Sequence, residues 1–144
     1  MSAKKVLFVC IGNSCRSPMG EAIARRSAAD VIEAESAGLH PLGTIASMTR
    51  QTLEKNGYPV EGLRSKAIEP DLWDAADIVI NMSGYARETA FPDWQKVEDW
   101  DVEDPYGADP KVYQRIFEVI ERRVGELAER LRGAARGKKK EGKS

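Results

Sequence analysis

Cys10 and Arg16 close a short stretch, Cys10-Ile11-Gly12-Asn13-Ser14-Cys15-Arg16. A cysteine thiolate is a strong nucleophile, and an arginine fork can hold two oxygens of a tetrahedral anion. With Gly12 and Asn13 between them, the spacing suggests a loop whose backbone N–H groups converge on one oxyanion. The preceding run, Val6-Leu7-Phe8-Val9, is apolar on every residue, as in a buried parallel strand. Beyond Arg16 a helix opens, with Ser17 as candidate N-cap and Pro18 at the first helical position. A helix N-terminus brings positive potential to the loop, which favours a thiolate at its base. The chemistry implied is attack by Cys10 on a bound phosphoryl group.

Breaking a phosphomonoester also needs a proton for the leaving oxygen. Carboxylates crowd the stretch from Glu98 to Asp104, and composition alone does not choose among them. Asp104 is the best candidate because Pro105 restricts its backbone and so the direction of its side chain. The plainer reading is a loop of solvated acids in which Asp104 only shapes a turn.

Counts prune the other chemistries. His40 is the one histidine, and nothing around it supports a serine or cysteine hydrolase that relies on histidine. One histidine and two cysteines are too few for a catalytic zinc, and no metal or other cofactor is expected. The 144 residues suit one domain; 42% hydrophobic residues allow a core, and 31% charged residues with a net charge of −1 fit a cytoplasmic protein. No apolar run approaches membrane-spanning length, and the first run is too short for a signal peptide, so no membrane partner is expected. Both cysteines should be thiols in a reducing compartment.

The elements that must position these residues alternate. A first helix is expected over about 17–29, a strand over 31–36, and a helix over 44–56 closed by Gly57. A turn over 59–63, a short helix over 70–75 and a strand over 77–82 come next. A loop with one helical turn is expected over 83–94, then a strand over 96–100. The last helix, over 109–131, shows a stripe of Val112, Ile116, Ile120, Val124, Leu127 and Leu131. This order predicts an α/β fold: one three-layer, doubly wound domain with a four-stranded parallel sheet. Ligands of such sheets bind at the carboxyl ends of the strands, where both the Cys10 loop and the acidic loop should open.

The end differs in composition. Residues 133–144 hold Arg136, Lys138, Lys139, Lys140 and Lys143 against Glu141, with no apolar residue larger than alanine. They read as a basic disordered tail on a 1–132 catalytic domain. A solvated end is the plain reading, and nucleic acid is not expected as a partner.

The run Cys10-Ile-Gly-Asn-Ser-Cys-Arg16-Ser17-Pro18 resembles the phosphate loop of the low-molecular-weight protein tyrosine phosphatases and of the related arsenate reductases. The resemblance spans about residues 4–131 and implies a flavodoxin-like sheet of the phosphotyrosine phosphatase I type. It implies that Cys10 attacks and that Arg16 and the backbone of Ile11, Gly12, Asn13, Ser14 and Cys15 hold the phosphoryl oxygens. Ser17 would donate to the Cys10 sulfur, and Asn13 would lock the loop with Ser36 behind it. Asp104-Pro-Tyr106 resembles the general-acid loop of the phosphatases, with Tyr106 as a wall of the substrate slot. Cys15, otherwise a packing residue, would be able to form a reversible disulfide with Cys10 under oxidation.

Two departures bear on substrate. The phosphatases carry an aromatic residue where this chain has Leu39-His-Pro-Leu-Gly43, so only Tyr106 stands out as a wall. The stretch 57–66 and Ser14 are similar to the arsenate reductases, yet the chain has no cysteine after Cys15. An internal thiol relay is thereby closed, and a reductase would need an external thiol or redoxin partner. Pro18 and Asp104-Pro-Tyr106 favour the phosphatase. The expected partner is then a phosphorylated protein (phosphotyrosine) or a small aryl or alkyl phosphate, with an oxyanion-binding module lacking turnover as the remaining alternative.

Overall fold

The computed structural model describes residues 3–141, with side chains described through Gly137. Strand β1, Lys4–Cys10, lies between β2, Ile32–Gly38, and β3, Ile78–Asn81. The sheet is closed on the far side by β4, Val97–Asp99, in the order β2-β1-β3-β4, with every pairing parallel. Central β1 is covered on both faces, which is why Val6 to Cys10 are all buried and no polar alternation appears. Edge strand β2 instead alternates: Ile32 and Ala34 are buried, and Glu33 faces solvent.

Helix α1, Arg16–Ser27, and helix α5, Pro110–Glu141, cover one face. Phe8, Met19, Ile23, Tyr113, Phe117 and Ile120 are buried there. Helix α2, Ser47–Lys55, packs beside them with Leu53 inward. The other face carries only short elements, α3, Pro70–Ala75, and α4, Arg87–Ala90. Its cluster joins Leu7, Val9 and Val79 to Phe91, whose ring stacks on Trp73 with centroids 5.5 Å apart. None of the described helices is long and apolar enough to cross a membrane.

Four local expectations are corrected. Helix α1 begins at Arg16, with Cys15 at the cap position and no side chain capping it, so Ser17 is inside the helix and Pro18 is its third residue. Ser17 Oγ is drawn away from any capping role by Cys10 and Asn13. Helix α2 starts later than expected, at Ser47, because Ala46 is held in an extended conformation, φ −59 and ψ 140, with its amide donating to Ser14 O. Helix α5 buries Ile116, Ile120, Val124 and Leu127 of the expected stripe, which is wider than expected: Tyr113, Phe117 and Ala128 are also buried, and Val112 and Leu131 are half-buried at its ends. It also stays helical through Gly133 to Glu141, inside the stretch read as a disordered tail. Ala134 and Ala135 are strong helix formers there, and the turns before them are already nucleated. Residues 142–144 of that stretch lie outside the described residues.

Candidate active site

The sheet order puts a crevice between the carboxyl ends of β1 and β3, because the chain leaves β1 toward β2 and then returns to the opposite side for β3. Cys10 ends β1 at this point, and the loop to α1 wraps over the crevice. Its carbonyls are turned outward and occupied. Leu39 N–H donates to Cys10 O at 3.1 Å, His40 N–H to Ile11 O at 2.8 Å, and Leu42 N–H to Gly12 O at 2.9 Å. Ser65 Oγ adds a second bond to Gly12 O, and Thr49 Oγ1 donates to Ser14 O at 2.9 Å. Among the described residues, the amides of 11–15 donate to no protein acceptor. A peptide loop with its oxygens tied back presents its N–H groups to the other side, as an oxyanion nest requires.

Asn13 makes the turn with φ 47, the left-handed region that asparagine tolerates better than most residues. Its Oδ1 accepts from Lys66 N–H at 2.8 Å, so its Nδ2 faces the loop interior. Nδ2 donates to Ser17 Oγ at 2.8 Å and to Ser36 Oγ at 3.0 Å. Ser17 Oγ lies 3.0 Å from Cys10 Sγ, and Ser17 N–H points at the same sulfur from 3.5 Å. Gly38 is required by this packing: a Cβ there would sit 2.7 Å from Ile11 O and 2.8 Å from Asn13 N.

Arg16 is almost fully buried, and Nη1 donates to Met82 O beyond β3 and to Val102 O beyond β4. Two carbonyls thus aim the guanidinium across the crevice, and its buried Nε has no partner among the described residues. A buried cation with a free N–H suits an anionic ligand. Asp104 reaches the same group: its Oδ2 is 3.6 Å from Arg16 Nη2, with half of its side chain exposed at the mouth. Asp104 Oδ1 accepts from Tyr106 N–H at 3.1 Å, which orders the turn.

Cys10, Ile11, Gly12, Ser14, Cys15, Arg16, Asp104 and Tyr106 line one cavity of about 220 Å³. Asn13, Ser17 and Ser36 sit behind its wall, held there by the hydrogen bonds among them. Cys15 Sγ lies 3.4 Å from Tyr113 Oη, and burial pushes its thiol up against the opposing hydrogen bonds of Tyr113 and Thr49. Both cysteines are free.

Leu42 also lines the cavity, over Gly12, together with Tyr106. It is the residue of the 39–43 stretch that lines this cavity, where the sequence offered no aromatic ring. The three large hydrophobic residues that are exposed among the described ones, Leu42, Tyr85 and Tyr106, all lie in loops at this edge of the sheet.

A cysteine at the end of the first parallel strand, a ring of inward amides and an arginine fork define a phosphate-loop α/β protein. More narrowly, the chain belongs to the low molecular weight phosphotyrosine protein phosphatase family, whose model matches residues 5–136. It is similar in fold to the YwlE arginine phosphatase of Geobacillus stearothermophilus, with a TM-score of 0.82 and 27% identity over 91% of this chain and 94% of that one. A low molecular weight protein tyrosine phosphatase from T. tengcongensis aligns with a TM-score of 0.80 and 31% identity over 90% and 100%. Among curated relatives, the glutaredoxin arsenate reductase of Synechocystis sp. is 36% identical over 136 residues, 89% of this chain and 98% of that protein.

Proposed function

We propose that the protein is a phosphomonoester hydrolase working through a phosphocysteine intermediate. One observation carries the reading: Cys10 Sγ sits under a nest of free amides with a hydroxyl 3.0 Å away, and a carboxylate stands 3.6 Å from the Arg16 guanidinium at the mouth. The phosphoryl oxygens occupy the amides of Ile11 to Cys15 and the Arg16 fork. The Cys10 thiolate attacks phosphorus, the P–O bond to the leaving group breaks, and Asp104 gives its proton to that oxygen. Asp104 then takes a proton from water, water oxygen attacks phosphorus, and the S–P electron pair returns to sulfur. Ser17 O–H stabilises that thiolate as it leaves. No step calls for a metal or organic cofactor.

Leu42 and Tyr106 frame a slot suited to a flat ring, which favours phosphotyrosine on a protein, or a small aryl phosphate, over alkyl esters. The test is hydrolysis of p-nitrophenyl phosphate in EDTA by wild type and Cys10→Ser. The wild type should turn over, and the variant should lose at least about a thousandfold while still binding phosphate. Full activity in Cys10→Ser would sink the mechanism.

The likeness to a glutaredoxin arsenate reductase favours a second reading. Arsenate fits the same nest and would join Cys10 with loss of water. An external thiol would then attack Cys10 Sγ, and the S–As electron pair would leave with arsenic as arsenite, giving a mixed disulfide. The chain's other cysteine is Cys15, so external thiols are needed either to resolve that mixed disulfide or to reduce the Cys10–Cys15 disulfide that Cys15 would leave. Arsenate-dependent consumption of a small thiol, with negligible phosphatase turnover, would select this reading.

A further inference from the structure

A second cavity, of about 440 Å³, opens beside the one that holds Cys10. The two share Ser14, Leu42 and Tyr106, so they adjoin along the slot that an aryl ring would fill. The far wall is the start of α2, at Ala46, Ser47 and Met48, with Thr44 beside it. Neither proposed reaction uses this space. Among the described residues, no acidic or basic side chain lines it. Asp104, whose charge is felt at Tyr113 on the near wall, is paired with Arg16.

What the cavity offers is a set of unused donors. Helix α2 begins after Ala46, which has no side chain to cap it, and no acidic residue stands in its first turn. Arg50 N–H closes the first helical bond, onto Ala46 O. The amides of Ser47, Met48 and Thr49 donate to no protein acceptor among the described residues. Free first-turn amides, backed by the helix dipole, favour an anion. Ser14 is an independent sign of a ligand. It is 3% exposed, yet its hydroxyl has no partner among the described residues, whereas buried hydroxyls are ordinarily paired. Ser14 stands where the two cavities meet, and the exposed hydroxyls of Thr44 and Ser47 line the same space.

We propose that this cavity is a second anion subsite, which takes a carboxylate carried by the group esterified to the phosphoryl. The preferred ligands are then phosphate monoesters with two anionic ends: the phosphoryl sits in the Cys10 nest, the body passes Leu42 and Tyr106, and the carboxylate meets the amides of α2 and the Ser14 hydroxyl. A carboxylate suits the cavity better than a second phosphate, because no arginine or lysine lines it to balance a dianion. The inference rests on the hydrolase reading in one respect, that the nest holds a phosphoryl group; it needs no turnover.

The test is calorimetric binding to Cys10→Ser, which lacks the nucleophile and so leaves the ligand intact. Its ligands are phenyl phosphates alike except for the chain para to the phosphate, which is a propanoate, a propanamide or a propyl group. The same titrations are made with Ser47→Asp or Ser47→Pro added. Aspartate sets an anion of the chain's own in the first turn, where acids stabilise a helix. Proline removes one amide and one hydroxyl, and Ala46 already has the ψ of 140 that a residue before proline adopts. At low ionic strength the propanoate should bind about tenfold more tightly than the propyl compound, with the amide between. Ser47→Asp should bring that ratio to about one, and Ser47→Pro should lower it by about half or more. A ratio near unity in Cys10→Ser itself, or an unchanged ratio in Ser47→Asp, would overturn the subsite. If Ser47→Asp does not fold, the Ser47→Pro ratio decides. No binding by any of the compounds would remove the nest and the subsite together. The expected ratios, joined to a wild type that hydrolyses none of the compounds, would leave the subsite standing and sink the hydrolase reading alone.

Discussion

The two loops that meet at the cavity are built in opposite ways. The loop over residues 10–16 is buried, its carbonyls are tied to residues 39–49 and 65, and its key side chains interlock. The loop over residues 100–109 is largely exposed: Asp104 and Tyr106 stand in solvent, tied mainly by the Tyr106 amide and the Arg16 ion pair. In the proposed hydrolysis the first loop holds a charged ligand in fixed geometry, and preorganised donors do that without reorganising at the moment of reaction. The second would approach the leaving group and exchange a proton with water, which an exposed carboxylate can do.

That contrast breaks at definite points. Asp104→Asn should slow substrates with poor leaving groups by about a hundredfold or more and those with good leaving groups far less. Thermal unfolding should stay within about 0.5 kcal/mol of wild type, because the side chain is half exposed. An equal loss across a leaving-group series would remove Asp104 from proton transfer. Gly38→Ala should do the reverse. Its Cβ would press on Ile11 O and Asn13 N, lowering stability by about 1–3 kcal/mol, and displacement of the nest should cost about a hundredfold on all substrates alike. Wild-type stability in that variant would show that the buried loop yields more readily than its packing implies. The smallest effect belongs to Leu42→Ala, a few-fold rise in KM for aryl phosphates and none for alkyl ones, in line with partial loss of an apolar wall. A matching rise for both would deny Leu42 a role in the slot.

The same contrast explains what the sequence disclosed. Cys10, Gly12, Asn13 and Arg16 were legible because they are contiguous and each has a side-chain requirement that few residues meet. Asp104 was picked out of an acidic stretch through Pro105 and through the likeness of Asp104-Pro-Tyr106 to a general-acid loop. Leu42 was not legible as a cavity residue, because its place there depends on a loop laid over Gly12 from across the fold. The alternation of strands and helices was plain, since a parallel sheet imposes it. The end of α5 was not: Gly133 and the lysines read as a stop, while the long helix before them carries through.

The outward carbonyls of the 10–14 loop have one more consequence. Their partners come from residues far along the chain, so the nest exists only when the whole domain is assembled. An anion that binds there binds the folded state alone, and mass action then makes the melting temperature a gauge of the anion. At a hundred times its dissociation constant, phosphate should add about 2.7 kcal/mol to unfolding. A thermal-shift titration with phosphate, arsenate and vanadate would therefore rank oxyanions by affinity without any turnover, and a flat response to all three would mean that the nest does not take them.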